Sequence, residues 1–163
     1  MEIKSNLINN STGEPIEIIY QESNPLDNLD RKTLQGVHAF CFCGDKMVLV
    51  KHPSSGWTPP GGDIEKNETY EEATIREVKE ETNMDVISQE IIGFQDIYEK
   101  GQIIRQTRSY CKVESCGKFE KDPDDDIEEI KLIDPKNYRE YFDWGEIGDR
   151  IMERAIELNK GSN

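Results

Sequence analysis

From Gly62 to Met84 the chain reads GDIEKNETYEEATIREVKEETNM, and this stretch constrains the fold more than any other. On an α-helix, positions three and four apart share a face. The spacing of Glu77, Glu80 and Glu81 therefore predicts three carboxylates on one side of a single turn. Two like charges about 4 Å apart repel by roughly 1 kcal/mol in water and by roughly 4 kcal/mol at the effective dielectric near a protein surface. A chain that concentrates carboxylates in this way either spreads them in solvent or gathers them around a hard, oxygen-seeking cation such as Mg²⁺.

Seven of the 25 residues from Gly62 to Val86 are glutamate, as a merely solvated helix would also allow. A solvated helix has no need of fixed places. Here Gly62, five residues, Glu68, seven residues, Arg76-Glu77, two residues and Glu80-Glu81 follow one another in order. On these residues the chain resembles the Nudix hydrolases, whose box has this pattern, with apolar residues where Val78 and Met84 stand. The preceding GWTPPGG, Gly56 to Gly62, is similar to the family's Trp, two residues, Pro-Gly-Gly. One position departs, because Asn83 stands where the family has glycine. Asn is the next most tolerant residue of the left-handed conformation that ends such a helix, so the departure bears on helix termination and not on the carboxylates.

The resemblance covers about Gly36 to Leu158 and implies an α/β architecture, the Nudix fold, in which a mixed β-sheet is sandwiched between α-helices. It divides the chain into a Nudix hydrolase domain over residues 36–160 and an N-terminal strand and linker extension over residues 1–35. It also implies the chemistry: Mg²⁺- or Mn²⁺-dependent hydrolysis of a nucleoside diphosphate linked to another group. By motif position, the Gly61 carbonyl and the carboxylates of Glu77 and Glu81 are the implied metal ligands. Glu80 is a further ligand or holds metal-bound water. Arg76 pairs with a box carboxylate, Glu68, and fixes geometry instead of touching substrate. The general base comes either from the box, with Glu77 the candidate, or from a later acidic turn, which Glu128 and Glu129 resemble; a solvated loop is the alternative reading of that turn.

Substrate is approached by elimination. The chain lacks the proline that accompanies ADP-ribose cleavage beyond the box and the Pro- and Trp-containing signature of NADH-cleaving members, and Tyr98 falls short of the tyrosine position of diadenosine-polyphosphate members. A nucleoside triphosphate, oxidised or otherwise non-standard, cleaved to monophosphate and pyrophosphate is the favoured reading. A nucleotide sugar or dinucleotide is the runner-up. A nucleotide sensor without turnover would not need the complete carboxylate set. RNA-end processing needs a basic track, which the net charge of −14 opposes, although Arg105, Arg108 and Lys112 offer a local patch.

Composition agrees with one domain: 163 residues are enough to bury a full core. The acidic balance, with a pI near 4.6, argues against attraction to duplex nucleic acid or an anionic membrane and leaves small nucleotides as partners, because a bound metal reverses the local field. No apolar stretch approaches a membrane span and Met1 to Asn10 lacks the order of a signal peptide, so the expected compartment is the cytoplasm. The oligomeric state stays open, a homodimer included. Cys41, Cys43, Cys111 and Cys116 have no zinc spacing and read as free thiols, the first two on one strand face.

The remaining pattern predicts a strand at Ile16–Tyr20 and a polar linker to Thr33. A hairpin follows, Gly36–Cys43 with Lys46–Lys51 across Gly44-Asp45, and then a catalytic helix from near Glu68. Two long strands come next, Val86–Tyr98 and Gln102–Val113, and a shorter one at Ile127–Ile133. Asp143 and Glu146 suggest a capping box opening a last helix with Ile147, Ile151, Ala155 and Leu158 as its apolar stripe. Trp57 offers a face for a base, with packing beside Pro59-Pro60 as the alternative. Arg105 and Arg108 are candidate phosphate clamps, with exposed surface charge as the alternative. His38 and His52 read as structural or exposed. Asp122, Asp124 and Asp126 fail as a calcium loop, because Ile127 sits where the sharp turn needs glycine.

Overall fold

A computed structural model of the chain describes residues 1–119 and 127–162. The rejected calcium-loop residues Asp122, Asp124 and Asp126 lie outside the described residues. Two strands, β1 (Glu2–Ile8) and β2 (Pro15–Gln21), form an antiparallel hairpin where one strand was expected. β1 escapes sequence reading because it is an edge strand with five of its seven residues exposed, so no apolar alternation marks it. Next come β3 (Thr33–Cys43) and β4 (Lys46–His52), joined as expected across Gly44-Asp45, with Gly44 at φ 63°. Two short strands follow, β5 (Gly56–Thr58) and β6 (Gly61–Asp63), then helix α1 (Tyr70–Thr82), then the long pair β7 (Met84–Glu99) and β8 (Gln102–Ser115). The last described elements are β9 (Glu129–Ile133), a 3₁₀ turn at Pro135–Glu140 and helix α2 (Gly145–Gly161).

All nine described strands join one sheet in the order β1-β2-β7-β8-β3-β4-β5, with β6 beside β3 and β9 beside β4. Among the described strands only β3 and β8 run parallel. The fold is thus the expected α/β arrangement, a mixed sheet between helices. Period-two alternation along β3 sends Ala39 and Cys41 to one face, where they meet Val48, Val78, Cys111 and Val113 under α1. Phe40 and Phe42 go to the other face, with Met47, Leu49, Tyr110, Ile147, Ile151 and Ala155 under α2. Small side chains on the first face let α1 lie close to the sheet. Cys41 and Cys43 do share that face, and all four cysteines are free thiols.

The expected capping box on α2 is absent. Trp144 occupies the cap position without a side-chain bond, and Asp143 Oδ1 instead accepts from the Gly145 N–H at 2.9 Å, a local turn that competes with the cap. No described helix is long and apolar enough to cross a membrane.

The N-terminal extension is not a separate unit, because β2 pairs with β7 over Glu17–Gln21. Close approach is allowed by Gly93 on β7, where a Cβ would lie 2.4 Å from the Gln21 carbonyl oxygen. The linker after β2 is held by Arg105, which is 1% exposed. Its Nε and Nη2 donate to the two oxygens of Asp96 at 2.7 and 3.0 Å, and its Nη1 donates to the carbonyls of Pro25 and Asp27. Lys32 Nζ adds a bond to Asp96 at 2.9 Å, and the guanidinium lies 3.8 Å above the Phe94 ring. The expectation of a phosphate clamp at Arg105 is therefore corrected: four of the five N–H donors of a guanidinium are spent inside the fold. At the linker's other end, Glu22 accepts from Arg150 on α2 at 2.6 and 3.2 Å.

Burial opposes the charge on Asp96, yet the bonds from Arg105 and Lys32 prevail and hold its carboxyl below the ordinary value of 3.8. Stability from this group is present above pH 3.8 and is lost as pH falls through the lower folded value. Asp96→Asn removes the charge while leaving Arg105 buried, which should cost about 3 to 5 kcal/mol. Urea denaturation at pH 7 measures it; a loss under about 1 kcal/mol, the scale of an exposed pair, would mean that the buried lock contributes little.

Candidate active site

Helix α1 starts at Tyr70, two residues later than expected, because Thr69 caps it. The Thr69 hydroxyl accepts from the Glu72 N–H at 3.1 Å, and Glu72 Oε1 accepts from the Thr69 N–H at 3.4 Å. This capping box went unread in the sequence although Thr-x-x-Glu is its signature. The helix ends at Asn83 in the left-handed conformation, φ 55° and ψ 39°, as expected of the residue replacing glycine.

Arg76 sits at the middle of the helix's acidic side. Its Nε and Nη2 grip the two oxygens of Glu68 at 2.7 and 2.9 Å, the pairing read from the motif. Its Nη1 reaches Glu77 Oε1 at 2.9 Å and Glu80 Oε2 at 3.2 Å, and Nη2 also donates to the Asp63 carbonyl at 2.8 Å. The Arg76 hydrogen bonds hold the Glu68 carboxyl below its usual range, and Glu68 in turn drives the Arg76 pKa up. A cation is thus present among the crowded carboxylates, and it belongs to the chain.

Glu77 and Glu81 both meet the two-glycine strand β6. A Cβ on Gly62 would lie 2.4 Å from Glu77 Oε1, and one on Gly61 would lie 2.3 Å from the Val37 carbonyl oxygen and 2.7 Å from His38 Cδ2. Glu81, 4% exposed, accepts from the Gly61 N–H at 2.7 Å, and its other oxygen is 3.9 Å from His52 Nε2. The three carboxylates expected to share a face have different partners. Among the described residues no three acidic, histidine or cysteine side chains are drawn together at metal-binding spacing. Arg76 takes Glu77 and Glu80 while Glu81 turns toward the Gly61 amide. The donors are still the right chemistry for a hard divalent ion, carboxylates beside a backbone carbonyl on a strand whose first two residues are glycine.

The other candidates are spread around this centre. Glu128 and Glu129 are exposed at the start of β9, where the Glu128 N–H donates to the Lys51 carbonyl at 2.9 Å, one residue from His52. Trp57 is half-buried on β5, edge-on to Tyr141 at 6.1 Å, with Lys131 Nζ 5.7 Å from its ring centre. Arg108 is buried on β8 beside His38 of β3, away from the carboxylates. His38 is structural as read: burial holds its pKa well below 6.5, with the Arg108 and His52 charges adding to the effect, and its ring lies 5.2 Å from that of Trp144. Tyr141, Lys131 and Trp144 were not singled out in the sequence. The aromatic density of NYREYFDWG, residues 137–145, was the available signal.

Comparison with known proteins accords with this arrangement, since residues 32–154 match the NUDIX domain family. The chain belongs to the Nudix hydrolases. Members of this family act on pyrophosphate bonds in nucleoside diphosphate derivatives, generally with divalent metals. It is 36% identical over 88 residues to YtkD of Bacillus subtilis (strain 168), provisionally described as an 8-oxo-dGTP diphosphatase, which covers 54% of each protein. It is 38% identical over 50 residues to YvcI of the same strain, an uncharacterized Nudix hydrolase, covering 30% of this chain and 32% of that one. The chain therefore matches about half or less of the length of these curated relatives. In structure it is similar to the Bacillus subtilis pyrophosphohydrolase BsRppH, with a TM-score of 0.67 at 22% identity over 98% of both chains. It is also similar to a MutT protein from Bacillus halodurans, with a TM-score of 0.56 at 23% identity over 76% and 82% of the two chains. At these identities the structural likeness concerns the fold.

Gly62→Ala tests the site at a single atom. The added methyl would displace the Glu77 carboxylate, so kcat should fall by at least tenfold while the melting temperature stays within a few degrees. Steady-state hydrolysis and a thermal melt check it, and an active Gly62→Ala enzyme would show that Glu77 need not occupy this position.

Proposed function

We propose that the chain hydrolyses a nucleoside triphosphate, oxidised or otherwise non-standard, to the monophosphate and pyrophosphate, with Mg²⁺ or Mn²⁺ as cofactor. The observation that carries this reading is that Glu77 and Glu81 lie against the Gly61–Gly62 backbone while Arg76 bonds both Glu77 and Glu80. The likeness to YtkD, provisionally described as an 8-oxo-dGTP diphosphatase, supports the choice of an oxidised nucleotide.

In this reading Glu77, Glu80, Glu81 and the Gly61 carbonyl hold the divalent ion. When bound, the ion supplies neutralisation of phosphate charge and activation of water. Arg76 is a positioning residue: its planar fork fixes Glu68, Glu77 and Glu80 relative to one another, which a lysine cannot reproduce. Gly61 and Gly62 let a diphosphate approach the strand closely. Glu77, Glu128 and Glu129 are the candidates to take the proton from attacking water, and the pH–rate profiles of their Gln variants separate them, since the true base loses its acidic limb.

Incubation with Mg²⁺ and a mixed nucleotide panel, followed by mass analysis of products, tests the substrate class. Turnover should stop with chelator and return with Mg²⁺ or Mn²⁺. Glu81→Gln should lower it by orders of magnitude. Glu72→Gln should be nearly silent, because Gln serves the capping box as well as Glu. Equal losses for both variants would mean that general acidity is being measured and not a site.

The metal should also stabilise the fold. A ligand that binds only the folded state at about one hundred times its Kd adds roughly 2.7 kcal/mol. Melting temperature should rise with Mg²⁺ at constant ionic strength in the wild type and much less in a Glu77→Gln, Glu81→Gln double variant. Equal rises would place the ion on the diffuse surface charge instead.

A further inference from the structure

Arg108 is 3% exposed, yet among the described residues none of its hydrogen bonds goes to a carboxylate. Nη1 donates to the Thr107 carbonyl at 3.0 Å, Nη2 to Gln106 Oε1 at 3.3 Å, and Nε has no partner among the described residues. Among the described residues two of the five N–H donors of this guanidinium find partners. Arg105, three residues earlier on the same strand, uses four and has Asp96 as counter-ion. A buried cation without a counter-ion is costly, and burial pulls the Arg108 pKa down to about 10. Such a group is retained where something else supplies the acceptors.

A cavity of about 350 Å³ lies against Arg108. Gln95, 8% exposed and with no side-chain partner among the described residues, forms part of it, as do Asp143 and Trp144 before α2. Leu7 and Ile18 of the N-terminal hairpin supply an apolar wall. That hairpin lies outside the residues 32–154 matched to the family. The cavity lies on the α2 face of the sheet and the box carboxylates on the α1 face, with β6 between them. Gly61, His38 and Arg108 are register partners across β6, β3 and β8, a row spanning roughly 10 Å at the usual strand spacing. One nucleotide can bridge that distance with its phosphates at the Gly61–Gly62 strand.

The lining selects among ligands. Apolar walls and the Asp143 carboxylate disfavour a bare polyanion, while an aromatic ring, a forked donor, an amide and a carboxylate suit a flat heterocycle. A 6-oxopurine offers the acceptor O6 and, where C8 is not oxidised, N7 beside it, which together match a guanidinium fork, and ring N–H donors for a carboxylate. A 6-aminopurine puts a donor where Arg108 needs an acceptor. We infer that this cavity receives the 6-oxopurine base of the substrate nucleotide, that Arg108 selects that base over 6-aminopurines, and that the N-terminal hairpin is the outer wall of the pocket. The inference rests on the triphosphate reading for where the phosphates lie, and not for the base preference.

Calorimetric binding of GMP, IMP and AMP to the full chain, beside kcat/KM for GTP, ITP and ATP, tests it. Wild type should favour the 6-oxo compounds in both measurements, and Arg108→Met should reduce that preference by roughly five- to a hundredfold, with ATP turnover changed far less. Circular dichroism confirms folding of the variant. Should Arg108→Met not fold, Leu7→Trp, which fills the cavity from the exposed hairpin, carries the test and should weaken GMP binding at least fivefold. Equal affinity for GMP and AMP, a preference that survives Arg108→Met, or unchanged GMP binding in Leu7→Trp would overturn the proposal. Binding of inorganic phosphate that is lost in Arg108→Met would overturn it in favour of an anion site. A GMP preference that depends on Arg108, in a chain that cleaves no triphosphate, would uphold the pocket and sink the triphosphate reading; triphosphate turnover blind to the base would do the reverse.

Discussion

One guanidinium organises the acidic face of α1. Arg76 bonds Glu68 before the helix, Glu77 and Glu80 on it, and the Asp63 carbonyl at the end of β6. Singly, pairs at this degree of exposure are worth at most about 1 kcal/mol each. Sharing one planar group changes their character, because ordering a single side chain serves every partner at once and offsets repulsion that would otherwise push neighbouring carboxylates apart. The loop, the short strand and the helix consequently keep a fixed relation, and chemistry that depends on sub-ångström placement of oxygens requires such a relation.

The sheet contributes to the same end. The sequence Ala39-Phe40-Cys41-Phe42 gives α1 a shallow bed and α2 a deep aromatic one. Because α1 lies close, Glu77 and Glu81 reach the backbone of β6 with side chains of ordinary length, and any Cβ on Gly61 or Gly62 would intrude. Core packing on one face and carboxylate placement are therefore the same constraint seen at two distances.

Much of this was legible in the sequence. The β3–β4 hairpin, the β7–β8 pair, the left-handed stop at Asn83 and the Arg76–Glu68 pairing all follow from local rules, since their determinants lie within a few residues of one another. The misses have a common cause. Arg105 reads as a phosphate clamp, or else a surface charge, because its acceptors, Pro25 and Asp27, are distant in sequence and become neighbours only in the folded sheet. β1 carries no pattern of its own because its role is set by β2. The carboxylates were expected to share a face, and it takes the full set of Arg76 contacts to show that they are apportioned between a side-chain cation and a backbone amide. Thr69 was an oversight of a different kind, a readable cap obscured by the glutamate-rich motif that overlaps it.

Gly93 shows how firmly the N-terminal hairpin belongs to the rest. The glycine sits in the middle of β7, inside the family-matched region, yet the atoms it makes room for, the Gln21 carbonyl and the Tyr20 ring, lie outside that region. The hairpin is therefore not a portable module. Spliced onto a related sheet that bears any side chain at this point, the same twenty or so residues would be held off before their amides came within bonding distance; an exchange between relatives would have to carry both halves of the joint.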